Sequence, residues 1–356
     1  MSNFLPGHLE GLDLALLPGS LIVVTGANGF IGSHICDKLL AIGYRVRGTV
    51  RSLERSDWMR EYFRNKYPSA KFELITVPDI AKDGAFDEAF AAAQGIIHSA
   101  SINSLDRDPD NVVPKMIAAT LGVAQSASKS PSVKRLVLTS SIVAAADPNP
   151  GVAESLNPNT YNEEAVAITD SGKIPPGLFG GHTVYAAAKT KAEQAFWEWH
   201  AQEMPDLVVN TVLPSPCFGN VLSVKDQGFG SANALLKLLF DGNTSRSILD
   251  MLTAQWFIDV EDVSLLHIGA LVLSGVKSER LFGCAGRYTV NDFLRIFRTL
   301  YPDRGIVHDV DNVPHDLRKV PNERSADVLK KMGVPGWKCL EDCIGQLTHQ
   351  FAKVSQ

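Results

Sequence analysis

Apolar runs and helical periodicity alternate along the first two-thirds of the chain, and this alternation predicts a parallel sheet flanked by helices. The apolar runs predict strands over residues 21–25, 45–50, 72–77, 95–100, 134–140 and 207–213. Apolar positions spaced three and four apart predict helices over residues 30–42, 53–66, 84–93, 111–129 and 183–203. We therefore predict an α/β fold with a doubly wound parallel sheet, whose ligand lies at the carboxyl ends of the strands.

The alternation becomes looser after the Pro-rich segment that follows residue 213. Further helices are predicted near 231–240, 262–273, 289–300, 325–332 and 340–353, with strands near 256–260 and 280–284. This change predicts a large domain over residues 1–214, to which 251–284 partly returns, and a smaller substrate lobe built from 215–250 and 285–356. Segment 146–182 is rich in Pro, Gly and Asn, which predicts a lid over the site.

The segment TGANGFIG at residues 25–32 lies between the first predicted strand and the first predicted helix. Gly26 permits a tight turn, Gly29 lets the backbone approach a pyrophosphate, and Gly32 lets the helix pack on the strand. The helix N-terminus offers free N–H groups to the phosphates. The segment therefore predicts dinucleotide binding, with contacts from Thr25, Gly26, Asn28, Gly29, Phe30, Ile31 and Gly32.

The end of the second strand indicates which nicotinamide dinucleotide binds. An acid there would bind the 2′-hydroxyl of NAD, whereas an arginine accommodates the 2′-phosphate of NADP. The segment YRVRGTVRS has no acid before Glu54 and ends near Arg51, whose planar fork suits a phosphate dianion. We predict NADP(H), with Asp79 and Ile80 flanking the adenine.

Tyr185 and Lys189 form a Y-x-x-x-K pair, and a spacing of four places both side chains on one helix face. A neighbouring ammonium would lower the pKa of the tyrosine and help it to exchange a proton with substrate. Ser140 and Ser141 lie at the carboxyl end of the apolar strand predicted at 134–140, where a hydroxyl can donate to a substrate carbonyl oxygen. Either serine fits this role on position alone.

Together, TGANGFIG, VRGTVRS, VKRLVLTSS and YAAAKTKAE resemble the extended short-chain dehydrogenases/reductases of the dihydroflavonol-4-reductase-like group. Within this group the chain is most similar to fungal and yeast NADPH-dependent aldehyde/carbonyl reductases. The later segments WFIDVEDVSLLHIGALVL, ERLFGCAGRY and SADVLKKMGVPGW agree. The helix at 111–129 departs from many relatives by lacking their Gly-Thr-x-Asn segment, so no catalytic asparagine is assigned.

The resemblance implies reduction of a ketone or aldehyde to the alcohol by hydride transfer from NADPH. It implies Tyr185 as proton donor, Lys189 as the residue that lowers its pKa and holds the ribose, and Ser141 rather than Ser140 as the serine that orients the carbonyl. Pro214 and Cys217, in the loop PSPCFG, are expected to contact the nicotinamide.

Mostly apolar residues are the candidates for the wall of the substrate pocket, although each could equally belong to the core. They are Ile142, Leu178, Phe179, Phe218, Gln255, Trp256 and Phe257. No arginine or histidine cluster accompanies them, which favours a small hydrophobic carbonyl compound over a CoA thioester or nucleotide sugar.

Composition narrows the possible partners. The 356-residue chain is 45% hydrophobic and has a net charge of −5, which argues against nucleic acid and anionic membranes as partners. No apolar run is long enough to span a membrane. The five scattered cysteines predict reduced thiols, and together with an N-terminus without a basic region they predict a cytoplasmic protein. We expect no metal, and either a monomer or a homodimer.

Three alternatives remain open. An epimerase or dehydratase of the same fold would recycle the hydride, but Arg51 and the absence of acids beside Ser141 count against it. A hydroxysteroid dehydrogenase would perform the same chemistry on a larger alcohol. A non-catalytic NADP sensor would belong to another class, although such proteins often lose the tyrosine or lysine that this chain keeps.

Overall fold

A computed structural model describes residues 9–354, apart from the side chain of Ser231. The expectations for the extreme N-terminus therefore fall partly on residues 1–8, outside the described range. The strands are Leu21–Thr25 (β1), Arg45–Val50 (β2), Phe72–Thr76 (β3), Gly95–His98 (β4), Arg135–Thr139 (β5), Val208–Pro214 (β6), Cys217–Phe218 (β7), Gln255–Asp259 (β8), Arg280–Gly283 (β9) and Gly286–Tyr288 (β10).

Seven of these strands form one sheet in the order β3-β2-β1-β4-β5-β6-β9, and every neighbouring pair is parallel. The strand order reverses at β1, which has β2 on one side and β4 on the other. A crevice at the carboxyl ends of strands on either side of such a switch point is where this class of sheet binds ligands. The predicted doubly wound fold is confirmed.

The helices cover both faces of the sheet. They are Phe30–Ala41 (α1), Trp58–Lys66 (α2), Pro109–Ser128 (α3), Glu163–Asp170 (α4), Gly177–Glu203 (α5), Val224–Gln227 (α6), Ser231–Phe240 (α7), Arg246–Met251 (α8), Val260–Val272 (α9), Val290–Leu300 (α10), Glu323–Lys331 (α11) and Leu340–Val354 (α12). Among the described residues, no helix combines the length and apolarity needed to cross a membrane.

The central strands are buried on both faces because successive side chains point to opposite sides. In β1, Ile22 and Val24 pack into the apolar core beneath α1 and α9. Val23 packs on the other face with residues of α3 and α5, including Val123 and Phe196. The side chains of Ile22, Val23 and Val24 are fully inaccessible to solvent. The strand that precedes the glycine turn is therefore fixed from both sides.

A smaller three-stranded sheet, in the order β10-β8-β7, lies beside the main one. Its apolar core is formed with α7, α10 and α12, and includes Phe218, Phe293 and Phe351. β9 meanwhile pairs with β6 in the central sheet. The division of the chain into a domain over residues 1–214 and a discontinuous lobe stays a prediction.

Two local predictions were wrong. Residues 84–93 form successive turns and not a helix, with positive φ at Gly84 and Ala92. Arg47 donates hydrogen bonds to the carbonyls of Ala89 and Ala91, which satisfies acceptors that a helix would have used. Helix α5 begins at Gly177, six residues before the predicted start, and α4 lies in a segment for which no helix was predicted.

Candidate active site

The glycine turn has the shape that a pyrophosphate needs. Gly26 adopts φ +63°, and a Cβ there would lie 2.9 Å from Cα of Ala100. A Cβ on Gly32 would lie 2.3 Å from the carbonyl oxygen of Gly26. Gly29 caps α1 without a side-chain hydrogen bond, and the first helical turn has no acid. The N–H groups that follow Gly29, in the first turn of α1, are thus open to an anion, and the residues present fit a dinucleotide phosphate.

Side chains from β4 fix the start of the turn. Nδ1 of His98 lies 2.7 Å from Oγ1 of Thr25, and the N–H of Ala100 donates to the same hydroxyl at 3.1 Å. Burial, with a smaller contribution from the charge of Lys189, lowers the pKa of His98 to about 3. The imidazole is therefore neutral, and it shares a hydrogen bond with the Thr25 hydroxyl. Sequence reasoning missed His98, because a histidine in an apolar strand gives no local signal.

Gln227, at the end of α6, reaches the same turn. Its amide donates to the carbonyl of Asn28 at 3.1 Å and to the hydroxyl of Ser33 at 3.0 Å. The predicted contact residues Phe30 and Ile31 are half-buried in the first turn of α1. The glycine turn is thus held by His98 from β4 and by Gln227 from α6.

Arg51 lies at the carboxyl end of β2, beside the glycine turn, because Thr49 pairs with Thr25 in the sheet. Its exposed guanidinium makes no hydrogen bond or ion pair with any residue in the described range. Asp79 is also exposed and accepts a hydrogen bond from the N–H of Ala81, while Ile80 is half-buried. Arg51 is consequently free to bind a phosphate.

The two candidate serines have different environments at the end of β5. Ser140 is buried and donates its hydroxyl to Oε2 of Glu193 at 2.7 Å. Ser141 is half-buried, and its oxygen accepts only a long 3.4 Å bond from the N–H of Val143. The hydroxyl proton of Ser141 therefore remains available to a ligand, whereas that of Ser140 is committed to the core.

Lys189 is joined to the end of the same strand. Its buried ammonium donates to the carbonyl oxygen of Thr139 at 3.0 Å. The hydroxyl of Thr139 lies 2.8 Å from Nε2 of His267, whose Nδ1 is 2.7 Å from the carbonyl of Val263. Burial lowers the pKa of Lys189 to about 8, against the opposing charge of Glu193.

Tyr185 lies on α5 between two apolar clusters, with Ile142 on one side and Met116 on the other. Its hydroxyl has no hydrogen-bond partner within residues 9–354. Burial raises its pKa to about 12, so the expected lowering by Lys189 is not seen. Burial of the phenol outweighs the ammonium, which is instead hydrogen-bonded to the carbonyl oxygen of Thr139.

A buried ion pair lies beneath these residues. Glu193, which is 1% exposed at its side chain, accepts hydrogen bonds from Thr211 at 2.8 Å and from Nε of Arg280 at 2.9 Å. Arg280 also donates to the carbonyls of Pro158 and Thr160. The predicted lid segment is thus tied to the helix that carries Tyr185 and Lys189.

The candidate wall residues do not share one environment. Phe218 and Phe257 are buried in the core of the smaller lobe, and Ile142 is buried beside α5. The structure therefore does not bring these three to an open surface, because each is enclosed by its neighbours. Leu178 and Phe179 are exposed at the start of α5, and Gln255 is buried.

Trp256 occupies an intermediate position. Its indole N–H donates to the carbonyl of Arg318 at 3.3 Å, and the guanidinium of Arg287 lies 4.7 Å from the ring centroid. In the expected nicotinamide loop, Pro214 is buried and Cys217 is half-buried. Burial, together with the charge of Asp259, raises the pKa of the Cys217 thiol. All five cysteines are free, and within residues 9–354 no His, Cys, Asp and Glu side chains are grouped to hold a metal.

Comparison with known proteins places the chain in a family. The profile of the NAD dependent epimerase/dehydratase family matches residues 22–271, a range that includes the glycine turn, both serines and the Tyr–Lys pair. The chain belongs to this family. The resemblance to extended short-chain reductases that the motifs indicate is confirmed.

Among family members, the chain is 38% identical over 340 residues to "Aldehyde reductase 2" of Sporidiobolus salmonicolor, covering 94% of this chain and 97% of that protein. It is 34% identical over 332 residues to "Ketoreductase adrE" of Penicillium rubens, covering 91% and 94%. The crystal structure of yeast methylglyoxal/isovaleraldehyde reductase Gre2 complexed with NADPH has a TM-score of 0.75 at 25% identity, covering 94% and 99%. Gre2 from Candida albicans, at 22% identity and TM-score 0.79, shares the fold over 95% of this chain and 100% of that chain.

Gly32→Ala tests the phosphate cradle, because the added methyl would collide with the carbonyl oxygen of Gly26 and displace α1 from β1. We expect dinucleotide affinity, measured by fluorescence titration, to fall at least about tenfold, the equivalent of one lost hydrogen bond or more. Gly275→Ala is the control, since a Cβ there meets nothing within 4 Å. Equal dinucleotide affinity in Gly32→Ala and Gly275→Ala would contradict the assignment of this turn as the phosphate site.

Proposed function

We propose that this chain is an NADPH-dependent reductase of small, mainly hydrophobic aldehydes or ketones. The observation that carries the proposal is the connection of the Tyr185–Lys189 helix to the end of β5, through the bond from Lys189 to Thr139. That strand end lies in the same sheet edge as the glycine turn of β1 and as Arg51 after β2. The reductase names of the relatives support the same reaction class.

The residues present fit the dinucleotide at both ends. The open N–H groups after Gly29 would hold the pyrophosphate, and Arg51 would bind the 2′-phosphate. Lys189 would hold the nicotinamide ribose. When bound, NADPH supplies the hydride.

The chain's own residues then act on the carbonyl oxygen. Ser141 donates its free hydroxyl to that oxygen, which orients the carbonyl and stabilises negative charge as it develops. Tyr185 donates the phenolic proton to the forming alkoxide. A pKa near 12 keeps Tyr185 protonated at neutral pH, which is the state that a proton donor needs. The apolar surroundings of Tyr185 exclude water from the proton transfer.

Tyr185→Phe tests the proton donor, because it removes the phenolic hydroxyl and leaves the ring. We expect kcat for ketone reduction, followed as NADPH oxidation, to fall about 10²- to 10⁴-fold. The Kd for NADPH should stay within about twofold, since the cradle and Arg51 are untouched. Tyr301→Phe, at a half-buried tyrosine packed against Phe240, is the matched control. Wild-type-like turnover in Tyr185→Phe would remove this residue from the acid role.

Arg51→Asp tests the cofactor preference by placing a carboxylate where we propose that the 2′-phosphate binds. We expect the ratio of kcat/KM for NADPH to that for NADH to fall about 100-fold, as expected for two lost charge-assisted hydrogen bonds. Arg45→Asp changes the net charge equally at the exposed opposite end of β2 and should leave the ratio unchanged. An unchanged ratio in Arg51→Asp would mean that another residue sets the preference for NADPH over NADH.

The lowered pKa of Lys189 predicts a pH dependence. Burial favours the neutral amine, so Lys189 is charged below about pH 8 and loses its proton as the pH rises through that value. We expect kcat/KM for NADPH, which reports ionisations of the free enzyme, to decline above about pH 8. Lys189→Arg keeps its charge to high pH, so any activity that it retains should lack this decline. A flat wild-type profile between pH 7 and 10 would contradict the role of the ammonium.

A further inference from the structure

A second pair of titratable groups lies beside the proposed active site. Nδ1 of His182 is 3.5 Å from Oδ1 of Asp147. His182 precedes Tyr185 by three residues on α5, so the two side chains share a helix face and lie about 4.5 Å apart along its axis. Leu178, His182, Tyr185 and Lys189 stand at positions i, i+4, i+7 and i+11, which form one stripe along the helix.

Asp147 is held in place by its neighbours. It follows Ser141 by six residues, and its carbonyl oxygen accepts a 2.8 Å hydrogen bond from the fully buried Arg318. Its Oδ1 atom is buried and has no hydrogen-bond partner in the described range. Burial raises the pKa of this carboxyl, and the largest opposing influence is the charge of His182. The carboxyl group of Asp147 therefore faces the imidazole of His182 and the side-chain amide of Asn162.

This arrangement determines what His182 presents to a ligand. A carboxylate facing Nδ1 favours a proton on that nitrogen. The other ring nitrogen, Nε2, has no partner among residues 9–354, and the side chain of His182 is 43% exposed. An accessible polar atom is thus presented one helical turn from the phenol of Tyr185.

Apolar side chains lie close to the pair. Leu178 and Phe179, one turn earlier on α5, are 48% and 63% exposed. On the other side, Arg318 joins Asp147 to Trp256, because its carbonyl oxygen accepts the indole N–H. Nε2 of His182, unpaired within the described range, thus lies one turn from two exposed apolar side chains.

We propose that His182 is a specificity-determining residue whose Nε2 binds a hydroxyl group of the carbonyl substrate, with Asp147 as its positioning residue. This inference rests on the proposed reductase function. It narrows the substrate class to mainly apolar aldehydes or ketones that carry a hydroxyl roughly one helical turn, about 5 Å, from the reacting oxygen.

A hydroxyl fits because it both donates and accepts hydrogen bonds. Neutral His182 offers Nε2 as an acceptor for the hydroxyl proton, whereas protonated His182 offers Nε2–H as a donor to the hydroxyl oxygen. An ether or a second ketone can only accept and would bind to one of these states. A carboxylate would be repelled by the neighbouring Asp147.

The test compares 4-hydroxybutan-2-one with pentan-2-one, which replaces the hydroxyl by a methyl group. The readout is the ratio of kcat/KM for the two ketones with saturating NADPH. We expect His182→Leu to lower the wild-type ratio about five- to tenfold, the effect of one lost hydrogen bond. His182→Gln, whose amide can donate and accept, should recover part of it. Thr183→Val, the neighbour whose hydroxyl bonds only to Phe179 O, should leave the ratio at the wild-type value.

An unchanged ratio in His182→Leu, or an equal fall in Thr183→Val, would overturn the proposal. Absence of turnover of either ketone by the wild-type enzyme would instead count against the reductase function. In that case ligand-observed NMR on the NADP⁺-bound enzyme gives the dissociation constants of both ketones. If His182→Leu raises the dissociation constant of 4-hydroxybutan-2-one but not that of pentan-2-one, the subsite is supported. Equal dissociation constants of 4-hydroxybutan-2-one for wild type and variant would overturn it.

Discussion

The hydrogen bond from the Lys189 ammonium to the carbonyl oxygen of Thr139 connects the helix that carries the proposed chemistry to the sheet that carries the cradle. Thr139 is the last residue of β5, and its hydroxyl is fixed in turn by His267 from α9 on the opposite face. Burial lowers the pKa of His267 to about 4, so the imidazole is neutral. The position of Lys189 thus depends on contacts from both layers of helices.

Burial of Lys189 has two effects. It lowers the pKa of the ammonium, and it brings the ammonium within 3.0 Å of the carbonyl oxygen of Thr139 at the strand end. Glu193, four residues later on α5, offsets part of the first effect because its negative charge favours the ammonium. That carboxylate is itself balanced by Arg280, which also donates to the carbonyls of Pro158 and Thr160. Arg280 therefore connects segment 146–182 to the carboxylate beside Lys189.

Local patterns predicted the parts of the site whose residues are close in sequence. The glycine turn needs only a strand, three glycines and a helix, and the Tyr185–Lys189 pair needs only a spacing of four. The supporting contacts were not predictable in this way. Thr139 and His267 are 128 residues apart, and Arg280 and Glu193 are 87 apart, so no periodicity connects them. Ser140 and Ser141 are adjacent, and only the tertiary position of Glu193 distinguishes their hydroxyls.

The difference between local patterns and long-range contacts also explains the errors in the predicted secondary structure. Residues 84–93 have apolar positions at helical spacing, with Phe86 and Phe90 both in the core. Successive turns bury the same two rings, and Arg47 from β2 donates hydrogen bonds to the carbonyls of Ala89 and Ala91. The pocket residues stay predictions for a related reason, because an apolar residue near a site can equally face the core. Phe218 does so, packed against Tyr288 and Phe293.

The central claim is that this sheet edge brings a bound nicotinamide and a carbonyl carbon together for direct hydride transfer. The most direct measurement uses NADPH deuterated on either face of C4, with mass spectrometry of the alcohol product. The account predicts one deuterium on the carbinol carbon from only one of the two labelled forms. Alcohol without deuterium from either form, or label released into water, would contradict it.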